Sequence, residues 1–280
     1  MIERTLHCLG PHGFYRMAYA DWGEGQGRTL LCVHGLTRNG RDFDPLAAAL
    51  EAEMRVVCPD MPGRGRSDWL DRPEDYAYPT YLGACASLLA RLGAESVDWV
   101  GTSMGGIIGM FLAALPGTPI RRLVLNDIGA MVAAPGLERL KTYVGADPAF
   151  ADAAALEAEL RRIAAPFGPL TDAQWRHLAR ISTRHRPDGS LGWAYDPHIG
   201  DALRQGGEAR DVDLWAQWDA IKVPVLVIRG AQSDILRHED AVAMTERGPR
   251  ARLVELPGIG HAPALMAPDQ IALIRDFLRG

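Results

Sequence analysis

The hexapeptide Gly101-Thr102-Ser103-Met104-Gly105-Gly106 limits what this chain can fold into more than any other stretch. It follows the apolar run Val97–Val100 and precedes the apolar, helix-compatible run Ile107–Leu115. A strand, an abrupt turn with glycines two residues either side of a serine, and then a helix form the setting of a nucleophile elbow. The glycines are needed because the serine takes a strained backbone conformation, and bulkier neighbours would collide with the strand and helix. The strain exposes the Ser103 hydroxyl at the carboxyl edge of a sheet, beside the free N–H groups of a helix start. The rest of the chain must supply that sheet.

It does so by alternation. Residues 2–9 and 14–21 predict a leading antiparallel hairpin that turns at Gly10-Pro11-His12-Gly13. Strand-like runs follow at Thr29–Val33, Arg55–Pro59, Val97–Val100, Arg122–Leu125, Val223–Ile228 and Arg252–Leu256. Helix-compatible segments at Asp44–Glu53, Tyr81–Leu92, Ile107–Leu115 and His238–Arg247 separate most of them, and Pro268–Leu278 closes the chain. Near-continuous apolar strands between helices predict a mostly parallel sheet covered by helices. Between about Met131 and Asp213 the alternation stops, and amphipathic segments appear at Leu137–Val144, Ala149–Ala164 and Thr171–Thr183. Structureless loops beyond about a dozen residues are uncommon, so this stretch reads as a helical lid. It enters after the sixth core strand, above the strand ends where open α/β sheets bind ligands. The expected organisation is a core over 1–130, a lid over 131–212 and the rest of the core over 213–280.

Composition removes several function classes. The formal net charge is -5 and there is no Lys/Arg run, which argues against a nucleic-acid partner. The start, Met1–His7, lacks a basic end followed by an apolar stretch, and no apolar segment reaches membrane-spanning length. Cys8, Cys32, Cys58 and Cys85 form no C-x-x-C pair, and no H-E-x-x-H occurs. The expectation is a reduced cytoplasmic protein with no metal, no cofactor and no membrane association. No oligomeric state is implied.

With these residues in order, the chain resembles the α/β-hydrolase superfamily, in its lidded serine esterase-like branch. His34-Gly35 follows an early strand, Asp60-Met61-Pro62-Gly63-Arg64-Gly65-Arg66-Ser67-Asp68 the next, and the elbow follows that. Arg229-Gly230-Ala231-Gln232-Ser233-Asp234 and Gly258-Ile259-Gly260-His261-Ala262-Pro263 come after the last two strands. Serine, acid, histidine is the triad order of this superfamily. A serine hydroxyl needs an imidazole to take its proton, which assigns Ser103 and His261. The imidazole needs an acid to hold its tautomer and stabilise the imidazolium. The resemblance favours Asp234, 27 residues before His261, with Asp127 in Asn126-Asp127-Ile128-Gly129 as the alternative acid. It also assigns the oxyanion hole to the backbone N–H groups of Leu36 and Met104, and a structural task in that loop to His34.

Other residues carry weaker signals. Asp60 and Asp68 read as braces of neighbouring loops. Trp175, Trp193, Tyr195, Trp215 and Trp218 give the lid an aromatic bias, read mainly as packing. Trp193 and Tyr195 are the candidates for a substrate pocket. Arg184-His185-Arg186 reads as a solvated basic face that could hold a substrate carboxylate. The resulting expectation is hydrolysis of a small or medium carboxylic ester or lactone through an acyl-enzyme. A C–C hydrolase of the meta-cleavage-product type and a non-catalytic receptor on the same fold are the alternatives. Ala262 stands where C–C hydrolases commonly carry an aromatic residue, and the filled triad positions disfavour a receptor.

Overall fold

The computed structural model describes residues 1–280. Its centre is an eight-stranded sheet. In chain order it begins with β1 (Ile2–Gly10), β2 (Gly13–Trp22), β3 (Thr29–Val33), α1 (Asp44–Leu50), β4 (Arg55–Pro59) and α2 (Tyr78–Leu92). Then come β5 (Val97–Thr102), α3 (Met104–Ala114) and β6 (Ile120–Asn126). The next segment carries β7 (Met131–Val132), α4 (Ala134–Lys141), α5 (Ala153–Ile163), α6 (Asp172–Ile181), β8 (Thr183–His185) and β9 (Leu191–Trp193). It ends with α7 (Asp201–Gln205), β10 (Val212–Asp213) and α8 (Trp215–Ala220). The core resumes with β11 (Val225–Gly230), α9 (His238–Glu246), β12 (Arg252–Leu256) and α10 (Pro268–Arg279).

The strand order is β1-β2-β4-β3-β5-β6-β11-β12. β1 and β2 form the expected antiparallel hairpin, β2 meets β4 antiparallel, and every later pairing is parallel. This is the α/β-hydrolase fold expected from the sequence. Strands β3, β5 and β11 are almost wholly buried, which explains their unbroken apolar runs. One face packs Leu31, Trp99, Leu123 and Val227 under α2, α3 and α8, and the other packs Leu30, Val100, Val124 and Ile228 under α1 and α10. All four cysteines are free and buried. No helix is long and apolar enough to cross a membrane.

The segment between β6 and β11 is largely helical, but short strands that periodicity did not reveal also occur. β8 pairs antiparallel with β9, and β10 with β7. Pieces of two or three residues are too short to alternate visibly. α6 begins at the head of the expected amphipathic segment Thr171–Thr183. Thr171 accepts from the Gln174 N–H and Gln174 returns a bond to the Thr171 N–H, a capping box. The insert has an apolar centre of its own, built on Phe150, Leu156, Leu160, Leu178 and Trp193.

Candidate active site

Ser103 sits between β5 and α3 with φ 50° and ψ -115°, a conformation that non-glycine residues rarely adopt. A Cβ on Gly101 would strike the Gly105 carbonyl, and one on Gly105 would strike the Val33 carbonyl of β3. Only glycine lets strand and helix approach so closely around the serine. The turn lifts Ser103 to the carboxyl edge of the sheet, where Nε2 of His261 lies 2.9 Å from its Oγ. His261 follows β12 and is buried at the protein's inner surface.

The acid beside His261 is Asp127. Its Oδ2 lies 2.7 Å from His261 Nδ1, at the end of β6. The same carboxylate accepts from the Gly230 N–H at 2.7 Å and from the Ser233 hydroxyl at 2.6 Å, and it is fully buried. The geometry corrects the preference for Asp234. That carboxylate binds the Arg139 guanidinium instead, at 2.5 and 2.9 Å, and its own carbonyl accepts from the Gly136 N–H of α4 at 3.1 Å. Burial alone would raise the Asp234 pKa, but the bond and charge of Arg139 outweigh it and hold the carboxyl below its usual range. Asp234 therefore anchors the first turn of α4 to the core. Both loops converge on the histidine, and chain spacing cannot tell which carboxylate an arginine of the insert will claim.

The strand-end loop after β3 completes this edge. His34 is fully buried, with Nδ1 2.7 Å from the Gly35 carbonyl and Nε2 accepting from the Met61 N–H at 2.9 Å. Each ring nitrogen has a partner that suits the neutral imidazole, and burial pushes its pKa down to about 3. His34 thus welds the β3 loop to the loop after β4, the structural task expected of it. Asp60 and Asp68 brace loops as expected. Asp60 accepts from the N–H groups of Gly40 and Arg66, and Asp68 from that of Arg16.

Sequence reasoning passed over Arg64. Its side chain is fully buried, no carboxylate pairs with it, and its Nε donates to the Leu36 carbonyl at 2.9 Å. Nη1 donates to the Pro62 carbonyl at 2.7 Å and the Tyr81 hydroxyl at 2.9 Å. The guanidinium also faces the rings of Tyr81 and Tyr76, at 5.1 and 5.6 Å. A buried cation satisfied only by neutral groups fixes the carbonyl side of Leu36. The Leu36 N–H donates to no protein group. The Met104 N–H opens α3 and is one of those a helix leaves without an internal acceptor. The only sequence signal for Arg64 was its place between Gly63 and Gly65.

Leu36, Ser103 and Met104 share one cavity of about 200 Å³, in which Ser103 stands among hydrophobic walls. Trp193 and Tyr195 do not line it, which corrects the pocket assigned to them. They are buried within the insert, where the Trp193 ring meets Phe150 edge-on at 4.9 Å. They border a separate cavity of about 30 Å³ next to Arg38 and Tyr143. The insert needs these rings to close its own core. Arg184 and Arg186 both pair with Asp147 at the surface, away from the serine.

The profile of the Alpha/beta hydrolase family matches residues 30–272, spanning the elbow, both acidic loops and His261. This chain belongs to that family. The hydrolase is 45% identical to the 3-hydroxybutyrate-oligomer hydrolase of Cupriavidus necator, across 98% of this chain and 97% of that one. Its fold matches that of a putative hydrolase from Rickettsia typhi with a TM-score of 0.93, at 32% identity over 100% and 99% of the two chains. An alpha/beta hydrolase from Novosphingobium aromaticivorans matches with a TM-score of 0.88, at 36% identity over 99% and 98%.

Proposed function

We propose that this hydrolase cleaves short carboxylic esters through an acyl-enzyme on Ser103, with His261 as the base and Asp127 as its acid. The observation that carries the reading is the unbroken relay Asp127–His261–Ser103, at 2.7 and 2.9 Å, opening on an apolar cavity. His261 takes the Ser103 proton as Oγ attacks the ester carbonyl, and Asp127 stabilises the imidazolium. The carbonyl oxygen gains negative charge, which the N–H groups of Leu36 and Met104 receive. Each such donor contributes roughly 3–4 kcal/mol to the transition state in comparable sites. His261 then protonates the departing alkoxide and activates the water that frees the acid.

The substrate class is an ester of a short aliphatic or hydroxyaliphatic acid, with oligomers of 3-hydroxybutyrate as the leading candidate. Hydrophobic walls favour such acyl groups by area burial, at about 25 cal/mol per Å², and the identity to the Cupriavidus enzyme supports the hydroxyacid. Residues 131–212 act as the lid over the serine, through Leu137, Leu140, Ile199 and Leu203 in the cavity wall. Purified protein is expected to hydrolyse p-nitrophenyl butyrate, and Ser103→Ala to reduce kcat by at least about 10⁴-fold with unchanged melting temperature. Wild-type turnover by that variant would overturn the reading.

A further inference from the structure

We infer that the apolar cavity is an acyl subsite for one hydroxyacyl residue, read at its free hydroxyl by Tyr78, so that oligomers are shortened one residue at a time from the hydroxyl end. This deepens the ester-hydrolase reading and rests on it. The side on which the acyl group lies follows from proton transfer. The leaving alcohol takes its proton from His261, so it departs on the histidine side. The cavity wall contains Ser103, Leu36 and Met104 but not His261, which makes it the side left to the acyl group.

Size and polarity narrow the occupant. A dry cavity of about 150 Å³ holds a benzene-sized group of six heavy atoms. A 3-hydroxybutyryl residue also has six heavy atoms, and this cavity measures about 200 Å³. One residue fits, and a second exceeds the space. Three tyrosines stand in the wall, and two are spoken for. The Tyr76 hydroxyl bonds to Asp196 and accepts from the Leu70 N–H, and the Tyr81 hydroxyl accepts from Arg64. The Tyr78 hydroxyl has no hydrogen-bond partner in the protein. Tyr78 is half-buried in the cavity wall, so its free hydroxyl can donate to, or accept from, a substrate hydroxyl placed beside it. No cationic side chain lines the cavity, so a carboxylate at this end of the acyl chain would be buried unpaired.

The chemistry balances with water alone. Ser103 Oγ bonds to the carbonyl carbon of the hydroxyl-end residue, and the ester C–O bond to the next residue breaks. The released oxygen takes the proton held by His261 and becomes the hydroxyl end of the shortened oligomer. Water then adds to the acyl-enzyme, returns a proton through His261 to Ser103, and frees one 3-hydroxybutyric acid. Each cycle regenerates the end that the next one needs.

The test uses the linear tetramer of 3-hydroxybutyrate with isotopic label in its hydroxyl-end residue. Label is expected first in free monomer, and label appearing first in dimer or trimer overturns the proposal. A second measurement compares kcat/KM for methyl 3-hydroxybutyrate with that for methyl butyrate. Tyr78→Phe is expected to lower this ratio about fivefold, whereas a merely structural tyrosine would leave it unmoved. An unmoved ratio overturns the role of Tyr78. If wild-type protein turns over no butyrate ester at all, the ester-hydrolase reading itself fails, which separates the two failures.

Discussion

The carboxyl edge of the sheet and the helical insert each claim one of the two carboxylates near His261, and they treat them in opposite ways. At the sheet edge Asp127 is fully buried and bound only by the Gly230 N–H, the Ser233 hydroxyl and the imidazole. Its negative charge remains available to an imidazolium. Asp234 is part-exposed and already neutralised by Arg139 of α4. A carboxylate held by neutral donors can serve a proton relay, and one held by a guanidinium serves as a fastening. The same contrast extends outward. Around the serine, His34 and Arg64 are buried polar groups satisfied one bond at a time, whereas the insert is held by its aromatic and aliphatic centre and by surface ion pairs.

The largest expected effect breaks or confirms this contrast directly. Asp127→Asn should lower kcat for p-nitrophenyl butyrate by about 10³–10⁴-fold, because the amide favours the wrong imidazole tautomer. Asp234→Asn should change kcat by less than about tenfold, since it removes a partly exposed ion pair worth about 1 kcal/mol or less. Reversed magnitudes in steady-state kinetics would exchange the two roles.

The insert's side of the comparison is sharpened at Trp193. Trp193→Ala should destabilise by about 3–5 kcal/mol, as large aromatic truncations in cores do. A calorimetric scan should show the lowered Tm. The ranking of acetate, butyrate and hexanoate esters should persist, because Trp193 lies outside the Ser103 cavity. A reordered acyl profile at unchanged Tm would return Trp193 to the substrate pocket.

A smaller effect probes the sheet edge through pH. The folded-state pKa of His34 is lowered from 6.5 to about 3, so the unfolded chain binds more protons between these values. Its contribution to stability is present above about pH 6.5 and is lost as pH falls towards 3. Asp60 acts in the opposite sense. Burial raises its pKa from 3.8 to about 6, so its contribution declines as pH rises through that range. Comparing wild type with His34→Gln cancels the Asp60 contribution. The stability difference should shrink by about 2 kcal/mol between pH 6.5 and pH 5. A difference independent of pH in urea titrations would mean that His34 does not remain neutral in the fold.

Much of this molecule was legible along the chain. The hairpin, the strands Thr29–Val33, Arg55–Pro59 and Arg252–Leu256, and the helix starts at Asp44 and Pro268 stand where the hydrophobic pattern put them. Within the insert the amphipathic segment from Thr171 to Thr183 announced α6, but Leu191–Trp193 was too short for its alternation to register. Arg64 was hidden for another reason. A charged residue between two glycines reads as a solvated loop until the fold buries it under Leu36 and Tyr81.

What the sequence determined by itself is local and steric. Glycines at 101 and 105 permit one tight strand–turn–helix crossing, and that crossing places Ser103 at the sheet edge before any distant contact is considered. What only the tertiary structure decided is which carboxylate reaches the histidine. The loops after β6 and β11 end beside the same histidine, and the choice between them depends on Arg139, 95 residues from Asp234 along the chain. Once that guanidinium claims Asp234, the imidazole is left with Asp127, because a carboxylate neutralised at close range has little charge to offer a second cation.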